Sequence, residues 1–577
     1  MKKTLRILVL FLFCLSFTSG VFFSCSSTTP NVDESGESAI AHLFEWTGRQ
    51  DYQSPDHVDI EPSALVNQSK GLSDDWYVDS SFYHIWVKSF NDYDGDGVGD
   101  FRGITAKLDY IKNEVGTDAI WLSPIFDCSG KGTKASYNMH GYDTTDYYNV
   151  NDYFGNMEHL EELLSEAHAR GMKVIFDFVP NHTSNNHPWF LLSSKMMQNK
   201  KDWYMWNNQK LPWSPMGNAN TWNFNIDRQA YYYAPFSNGM PDLNFRNYEV
   251  REEMKNVVRF WLNKGFDGVR IDAVRYLIEE MDANGKVTTA GLVDTESSHD
   301  FYSELRTSVI DEYAELGSPK FMVGEAWINN DPRRLDRYYG SEEKPEFNML
   351  FDFDFSGKVA MGLHSRNLQL FDYRKTESVT GGLPSRSAVF LSNHDNVASR
   401  PGSVYKTEPL LRQSTAVSLL FPATPFVYYG NEVGQEDQEK LIGQDLRLRY
   451  PLDWAAIEKQ MSESNSLLAL HKTILSLRAK HTALRRGAYT RLQVTGDASV
   501  AAYSLSYGNE LLICVFNVSG SETTATSVRV PDNQDRSKIR NLLDSDTTKA
   551  TSVKFEDSKL NLGRLMPHSF SVYKIEN

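Results

Sequence analysis

Cysteine is scarce, with four in 577 residues. Cys14 falls inside an N-terminal apolar run and Cys25 just after it, while Cys128 and Cys514 lie in segments that read as different domains. A disulfide framework is therefore not expected, and stability rests on core burial, as suits a chain of this size. No cluster of Cys and His carries zinc spacing. Positive charge is also in deficit: 59 Lys and Arg against 75 Asp and Glu give a formal net charge of −16. That balance argues against a nucleic-acid backbone or an anionic membrane surface as the main partner, whereas a neutral polymer is not repelled. Internal repeats are absent, and so is any membrane-length apolar run beyond residue 24. What is present is a globular composition, 41% apolar and 23% charged, with 12 Trp and 29 Tyr. Aromatic rings can cover the C–H faces of sugars, so this stock suits a carbohydrate enzyme.

Lys2, Lys3 and Arg6 precede an almost wholly apolar stretch, Ile7 to Phe23. A basic start followed by an apolar run predicts an export signal over residues 1–24. The run ends in Val21-Phe22-Phe23-Ser24-Cys25, which resembles a bacterial lipobox. The resemblance implies cleavage before Cys25 and acylation of its thiol, several acyl chains giving stable membrane attachment. Residues 25–75 then read as a lipoprotein tether and N-terminal segment, and the chain as an exported outer-membrane lipoprotein at the cell surface.

Eight short apolar runs recur between longer helical or loop stretches: FYHIWVKSF, DAIWLSP, KVIFDFVP, DGVRIDAV, FMVGEAW, MLFDFDFS, AVFLSNHD and TPFVYYGNE. MEHLEELLSEAHARGM and YEVREEMKNVVRFWLNKGF carry apolar residues at three- and four-residue spacing. Strands alternating with helices imply parallel crossover units, and eight of them a closed (β/α)8 TIM barrel of the α/β class. The barrel is expected over 76–180 and 248–485. Between its third and fourth strands, residues 181–247 are too long for a loop and read as a small inserted domain. Beyond Arg485 short alternating segments predict a C-terminal antiparallel β-sandwich over 486–577.

Asp272, Glu325 and Asp395 each end one of these buried runs. In a parallel barrel the strand ends converge on one face, where the active site is built. Acids this far apart in sequence at one shared position point to glycoside hydrolysis, which needs a nucleophile and a proton donor. Arg270 precedes Asp272 by two residues and so points to the same side of its strand, where a guanidinium keeps a carboxylate ionised and aimed.

Six motifs occur in one order: HGYD at His140, DFVPNH at Asp177, MPDLN at Met240, GVRIDAV at Gly268, GEAW at Gly324 and SNHDN at Ser392. With them the chain resembles the α-amylase family, glycoside hydrolase family 13, over nearly its whole length after the signal. The tether adds a likeness to Bacteroides-type surface starch amylases. The resemblance implies Asp272 as nucleophile, Glu325 as general acid and Asp395 as a third acid that binds sugar hydroxyls and distorts the ring. It implies that His182 and His394 bond sugar hydroxyls, that Tyr142 beside His140 is a platform under the cleaved unit, that Asp445 and Arg449 grip the next sugar, and that Trp327 meets the leaving group. Ala273 after the nucleophile matches α-1,4 specificity, so internal cleavage of starch-like α-glucans is expected. Cyclomaltodextrinase-like, neopullulanase or α-1,6-glucosidase action and a non-catalytic glucan-binding protein are the alternatives. Surface glycan-uptake proteins are implied as partners. The tryptophans Trp189, Trp203, Trp206, Trp213 and Trp222 serve either as core of the insert or as distal sugar platforms.

The loop DYDGDGVGD places Asp92, Asp94, Asp96 and Asp100 in alternation, hard oxygen ligands that suit Ca²⁺. The twelfth position is Gly103 rather than Glu, so this is no EF-hand. Similar family loops bind Ca²⁺ with a backbone carbonyl, here that of Val98. A second family calcium site implies Asn181 and Asp242, but Tyr276 stands where a histidine is usual and Arg275 where a lysine is.

Overall fold

The inward face of the barrel explains its sequence. A computed structural model describes residues 40–54, 60–63, 72–130, 139–218, 220–367, 371, 387–395, 398–438, 446–530, 538–545 and 553–576. Eight parallel strands close a barrel in chain order: Phe82–Ile85, Ala119–Leu122, Lys173–Phe178, Gly268–Ile271, Phe321–Gly324, Met349–Phe351, Ser387–Val389 and Thr424–Tyr428. Each of the eight apolar runs supplies one of them. Side chains alternate along a strand, so every second residue points inward. Phe82, Ala119, Trp121, Ile175, Phe321, Val323, Met349, Phe351, Ala388 and Phe426 fill one interior cluster. Two residues beyond Ile175 and Val323 the same parity reaches Asp177 and Glu325. The interior is thus apolar below and carboxylate-lined at its C-terminal end. Gly268 is required where the fourth strand meets the fifth, because a Cβ there would lie 2.3 Å from the Phe321 carbonyl oxygen.

The crossover helices follow their spacing. Met157–Ala169 buries Leu160, Leu163, Leu164 and Ala167 on one face, and the Asn156 side chain caps it by accepting from the His159 N–H. Gly171 ends it in the left-handed region at φ +68°, and the Met172 N–H donates to the Ala167 carbonyl. Between strands three and four, Trp206–Asn207, Ala230–Tyr233 and Trp222–Asn225 form a three-stranded antiparallel sheet.

After the barrel, five- and four-stranded sheets built only from antiparallel pairs enclose a separate core of Val500, Ala502, Ile513, Val515, Val528, Leu560 and Leu562. The alternate residues Ala501, Tyr503, Leu505, Leu512, Cys514 and Phe516 join the main core. Both faces of that sheet are buried, so its strands read as nearly unbroken apolar runs. Cys128 and Cys514 are buried and free.

Residues 43–577 form one compact unit, and of the preceding unit only residues 40–42 are described. Within the larger unit, part of the expected tether packs as a strap. The Thr47 N–H donates to the Arg246 carbonyl, and the Tyr248 N–H donates back to Thr47. Tyr52 and Ser54 hydroxyls donate to the buried Glu253 carboxylate on the helix Tyr248–Asn263.

Candidate active site

Arg270 organises the carboxylates. Its Nη1 lies 2.7 Å from both Asp272 and Asp177, and its Nη2 lies 3.1 Å from Glu325. The guanidinium is 1% exposed, so the ion pairs stand in a low-dielectric setting where charge neighbours matter most. Burial pushes the Glu325 carboxyl up to about 8, against the pull of Arg270 and with the push of Asp272 and Asp395. Burial also pushes Asp272 up, but only to about 6, as Arg270 counters it more fully. Two neighbouring acids with separated proton affinities are what an acid and a nucleophile require.

The backbone contributes. Ala273 sits in the left-handed region at φ +50°, and its N–H donates to Glu325 Oε2 at 3.0 Å. The conformation costs on the order of 1 kcal/mol for a residue with a Cβ. It points the amide that follows Asp272 at Glu325.

The third acid has its own clamp. Asp395 accepts from Arg449 Nη2 at 2.9 Å and lies 3.2 Å from His394 Nε2. Arg449 Nε also donates to the His394 carbonyl, and its guanidinium stacks over Trp86 at 4.4 Å. The Tyr142 hydroxyl is 2.5 Å from His394 Nε2 and 3.2 Å from Asp177. Burial lowers the basicity of His140 to about 4 and of His182 to about 3, and holds His394 well below the usual imidazole range. These rings are therefore neutral near pH 7. His182 Nε2 and His394 Nδ1 are buried without a protein hydrogen-bond partner.

These groups meet in a cleft of about 670 Å³, lined by Asp272, Glu325, Asp395, His140, Tyr142, His182, Trp327 and Arg449. That volume lies within the usual range for ligand clefts. Arg270 and His394 lie beneath it, buried at 1% and 0%. Asp445 and Cys25 lie outside the described residues. The insert supplies a wall of Met216, Phe236 and Met240, with Tyr276 opposite the Phe236 ring at 5.6 Å. Its tryptophans play the core role: Trp203, Trp206, Trp213 and Trp222 are buried, Trp189 packs against Trp203, and none of the five lines the cleft.

Asp177 went unrecognised as a site residue, although it heads the DFVPNH motif. It is fully buried and accepts from Arg270, from Trp121 Nε1 and from the Tyr142 hydroxyl. The signal was available, since Asp177 follows inward-facing Ile175 by two residues. Its place is beneath the cleft as a counter-charge that anchors Arg270.

Away from the cleft, Asp92, Asp94 and Asp100 bring carboxylate oxygens within 4.8 Å of one another. The Gly95 and Gly97 N–H groups donate to Asp92 and wrap the loop around it. Asp96 turns differently, accepting from the Val98 N–H at 2.8 Å. An all-oxygen carboxylate set fits a hard cation. The Asn181–Asp242 pair also fits one. Asn181 Oδ1 and the Asp242 carboxylate are buried, and burial with the nearby Glu279 charge holds the Asp242 carboxyl well above the usual range, against the pull of the Asn181 side chain.

A family model for the catalytic domain of alpha amylase matches residues 84–487. The chain is 33% identical over 532 residues to alpha-amylase 3 of Dictyoglomus thermophilum, covering 88% of this chain and 95% of that one. It is 29% identical to the oligo-1,6-glucosidase of Parageobacillus thermoglucosidasius over 79% of this chain and 92% of the relative. Among solved structures, the alpha-amylase from H. orenii superimposes with a TM-score of 0.71 at 25% identity, over 86% of this chain and 99% of that one. The trehalose-6-phosphate hydrolase of Bacillus licheniformis shares the fold, with a TM-score of 0.71 at 24% identity over 87% of this chain and 100% of the other. The chain therefore belongs to the α-amylase family, glycoside hydrolase family 13, and is a glycosidase.

Proposed function

We propose that the protein is a retaining endo-α-amylase that cleaves internal α-1,4 bonds of starch and maltooligosaccharides. The observation that carries this reading is the pair Asp272 and Glu325, held by one guanidinium at 2.7 and 3.1 Å at the mouth of the cleft, where burial raises both carboxyls. A carboxylate of Asp272 attacks the anomeric carbon while Glu325 protonates the departing glycosidic oxygen. The product is a glycosyl ester on Asp272. Glu325, now ionised, takes a proton from water; the water oxygen attacks the same carbon, the ester bond breaks, and the original anomeric configuration returns. Asp395 and His182 hold hydroxyls of the sugar at the cleavage point, Tyr142 lies under its ring, and His394 orients Tyr142 and Asp395 from beneath. Arg449 acts on this sugar through Asp395.

Ala273 and the extent of the likeness to alpha-amylase 3 support α-1,4 specificity. Similarity to proteins named oligo-1,6-glucosidase keeps α-1,6 cleavage as the second reading. Products from amylose, pullulan and isomaltose separate the two. Early mid-sized maltooligosaccharides support internal α-1,4 attack, whereas prompt glucose from isomaltose overturns it. Asp272→Asn should release no reducing sugar from soluble starch; a wild type no better than this variant would leave only glucan binding.

We further infer that Ca²⁺ occupies the loop of Asp92, Asp94 and Asp100 with the backbone of Val98, and a second position at Asn181 and Asp242. There it would neutralise clustered carboxylates and brace the loop and the insert. The export and acylation signals support a surface lipoprotein anchored through Cys25, in reach of other glycan-uptake proteins. Among the described residues no helix is long and apolar enough to cross a membrane. Labelled fatty acid should enter the wild type and not Cys25→Ala; equal labelling would remove the anchor.

A further inference from the structure

A buried carboxylate outside the cleft is joined to the cleft wall by a single guanidinium. Arg275 lies on the turn Val274–Tyr276, three residues past the nucleophile. Its Nε and Nη2 donate to Asp294 Oδ1 and Oδ2 at 2.9 and 3.0 Å, a two-pronged pair. Its Nη1 donates to the Trp327 carbonyl at 2.6 Å. The Asp294 N–H returns a bond to the Arg275 carbonyl, so the two residues are locked through backbone and side chain. Asp294 is 7% exposed and also accepts from the Tyr338 hydroxyl at 2.6 Å, and Arg334 pairs with it from the solvent side. Burial alone would raise the Asp294 carboxyl, but Arg275 and Tyr338 hold it below the usual range.

Trp327 is 39% exposed and lines the cleft. One face of its ring lies flat on Phe353, with centroids 5.2 Å apart and planes 10° from parallel. It follows Glu325 by two residues on the same loop. The group that protonates the departing oxygen must stand beside the leaving sugar, so Trp327 belongs to that side. A ring backed on one face and open on the other makes a platform only if its backbone is fixed.

We propose that Asp294 is a positioning residue for the leaving-group side of the cleft: through Arg275 it fixes the Trp327 backbone, so that the indole is presented to the first α-glucosyl unit beyond the cleaved bond. The inference rests on the proposed α-glucan specificity and assigns Asp294 no part in bond cleavage. Asp294 therefore matters for substrates that carry sugar beyond the bond and not for those that carry none.

The test compares maltopentaose with α-maltosyl fluoride, whose fluoride leaves without a sugar on that side. Asp294→Asn is expected to lower kcat/KM on maltopentaose by about ten- to a hundredfold, mostly through KM, because misplacement of a binding group by an ångström is enough. Fluoride release should stay within about threefold of wild type, the pattern of lost leaving-group binding alone. Tyr338→Phe keeps the fold's shape and removes one bond to the same carboxylate; it should show a smaller loss on maltopentaose only. Arg334→Gln, which touches Asp294 but not Trp327, should change neither rate. Equal losses on both substrates in Asp294→Asn and Tyr338→Phe, no loss on maltopentaose, or the same split in Arg334→Gln would each overturn the proposal. A wild type that releases fluoride but leaves maltopentaose intact would sink the α-1,4 reading and this inference with it.

Discussion

The Ala273 N–H donates to Glu325 Oε2 at 3.0 Å, so the residue that follows Asp272 also holds Glu325. The strands that carry Asp272 and Glu325 are thereby joined at their tips as well as by Arg270. A shift of one carboxylate drags the other. The same amide stabilises the ionised form of Glu325, yet burial outweighs it and leaves the carboxyl at about 8.

A bell-shaped pH dependence follows. The proposed mechanism requires Asp272 ionised and Glu325 protonated. With Asp272 at about 6 and Glu325 at about 8, kcat/KM on maltopentaose should rise through pH 6, peak near neutrality and fall through pH 8. Glu325→Gln should lower starch hydrolysis by about a hundred- to ten-thousandfold, and the alkaline limb seen on maltopentaose should be missing on α-maltosyl fluoride, whose leaving group needs no proton. An alkaline limb that survives on the fluoride would assign it to another group.

Arg270 should be irreplaceable by lysine. Its two terminal nitrogens reach three carboxylates, at 2.7, 2.7 and 3.1 Å. An ammonium is a single point and cannot span them. Arg270→Lys is expected to cost about a hundredfold or more in kcat, the size of losses seen when reacting groups are misplaced. The sign of the pH effect is fixed too. Weaker attraction from a poorly placed cation raises the Asp272 proton affinity, so the acidic limb moves to higher pH. A pH profile unchanged from wild type would show that the guanidinium does not set it.

Much of this centre was legible because strand parity is rigid. Arg270 and Asp272 share a face by the two-residue repeat, and the 2.7 Å contact between them is that repeat made physical. Glu325 and Asp177 stand two residues beyond Val323 and Ile175 in the same way. Contacts between segments distant in sequence carry no such period. Arg275 and Asp294 meet across a loop whose course no local pattern fixes. Nor does spacing separate core tryptophans from sugar platforms in the insert, because both tasks favour the same residue. The strap around Tyr52 and Ser54 looked patternless, since its partner Glu253 lies about 200 residues away.

Metal removal should be felt in stability before activity. If Ca²⁺ sits among Asp92, Asp94 and Asp100, chelation leaves carboxylate oxygens within 4.8 Å of one another without a counter-charge. EDTA should lower Tm, added Ca²⁺ should restore it, and Asp92→Asn should show a smaller EDTA effect. The buried oxygens of Asn181 and Asp242 predict a second, tighter component that Asp92→Asn leaves in place and Asp242→Asn removes. An unchanged melt under EDTA, with no calcium found in the purified protein, would reject both sites.

The strap should stabilise the catalytic unit without touching the cleft. Glu253 is 3% exposed and accepts from Tyr52 at 3.0 Å, from Ser54 at 3.3 Å and from Tyr148 at 2.8 Å. Hydrogen bonds to a charged group are worth about 1.5–3 kcal/mol, so Tyr52→Phe should lower the free energy of unfolding by about that amount. Tyr148→Phe should cost a similar amount, and the double variant less than the sum, because the remaining donors share one carboxylate. Deleting residues 1–54 removes two of the three donors and uncovers the face of the helix Tyr248–Asn263 that they cover. It should therefore lower the urea midpoint more than either single change, while kcat on maltopentaose near pH 7 stays within about twofold, as expected for a change remote from the reacting groups. A truncated enzyme with an unchanged midpoint would show that the strap rests on the barrel without supporting it.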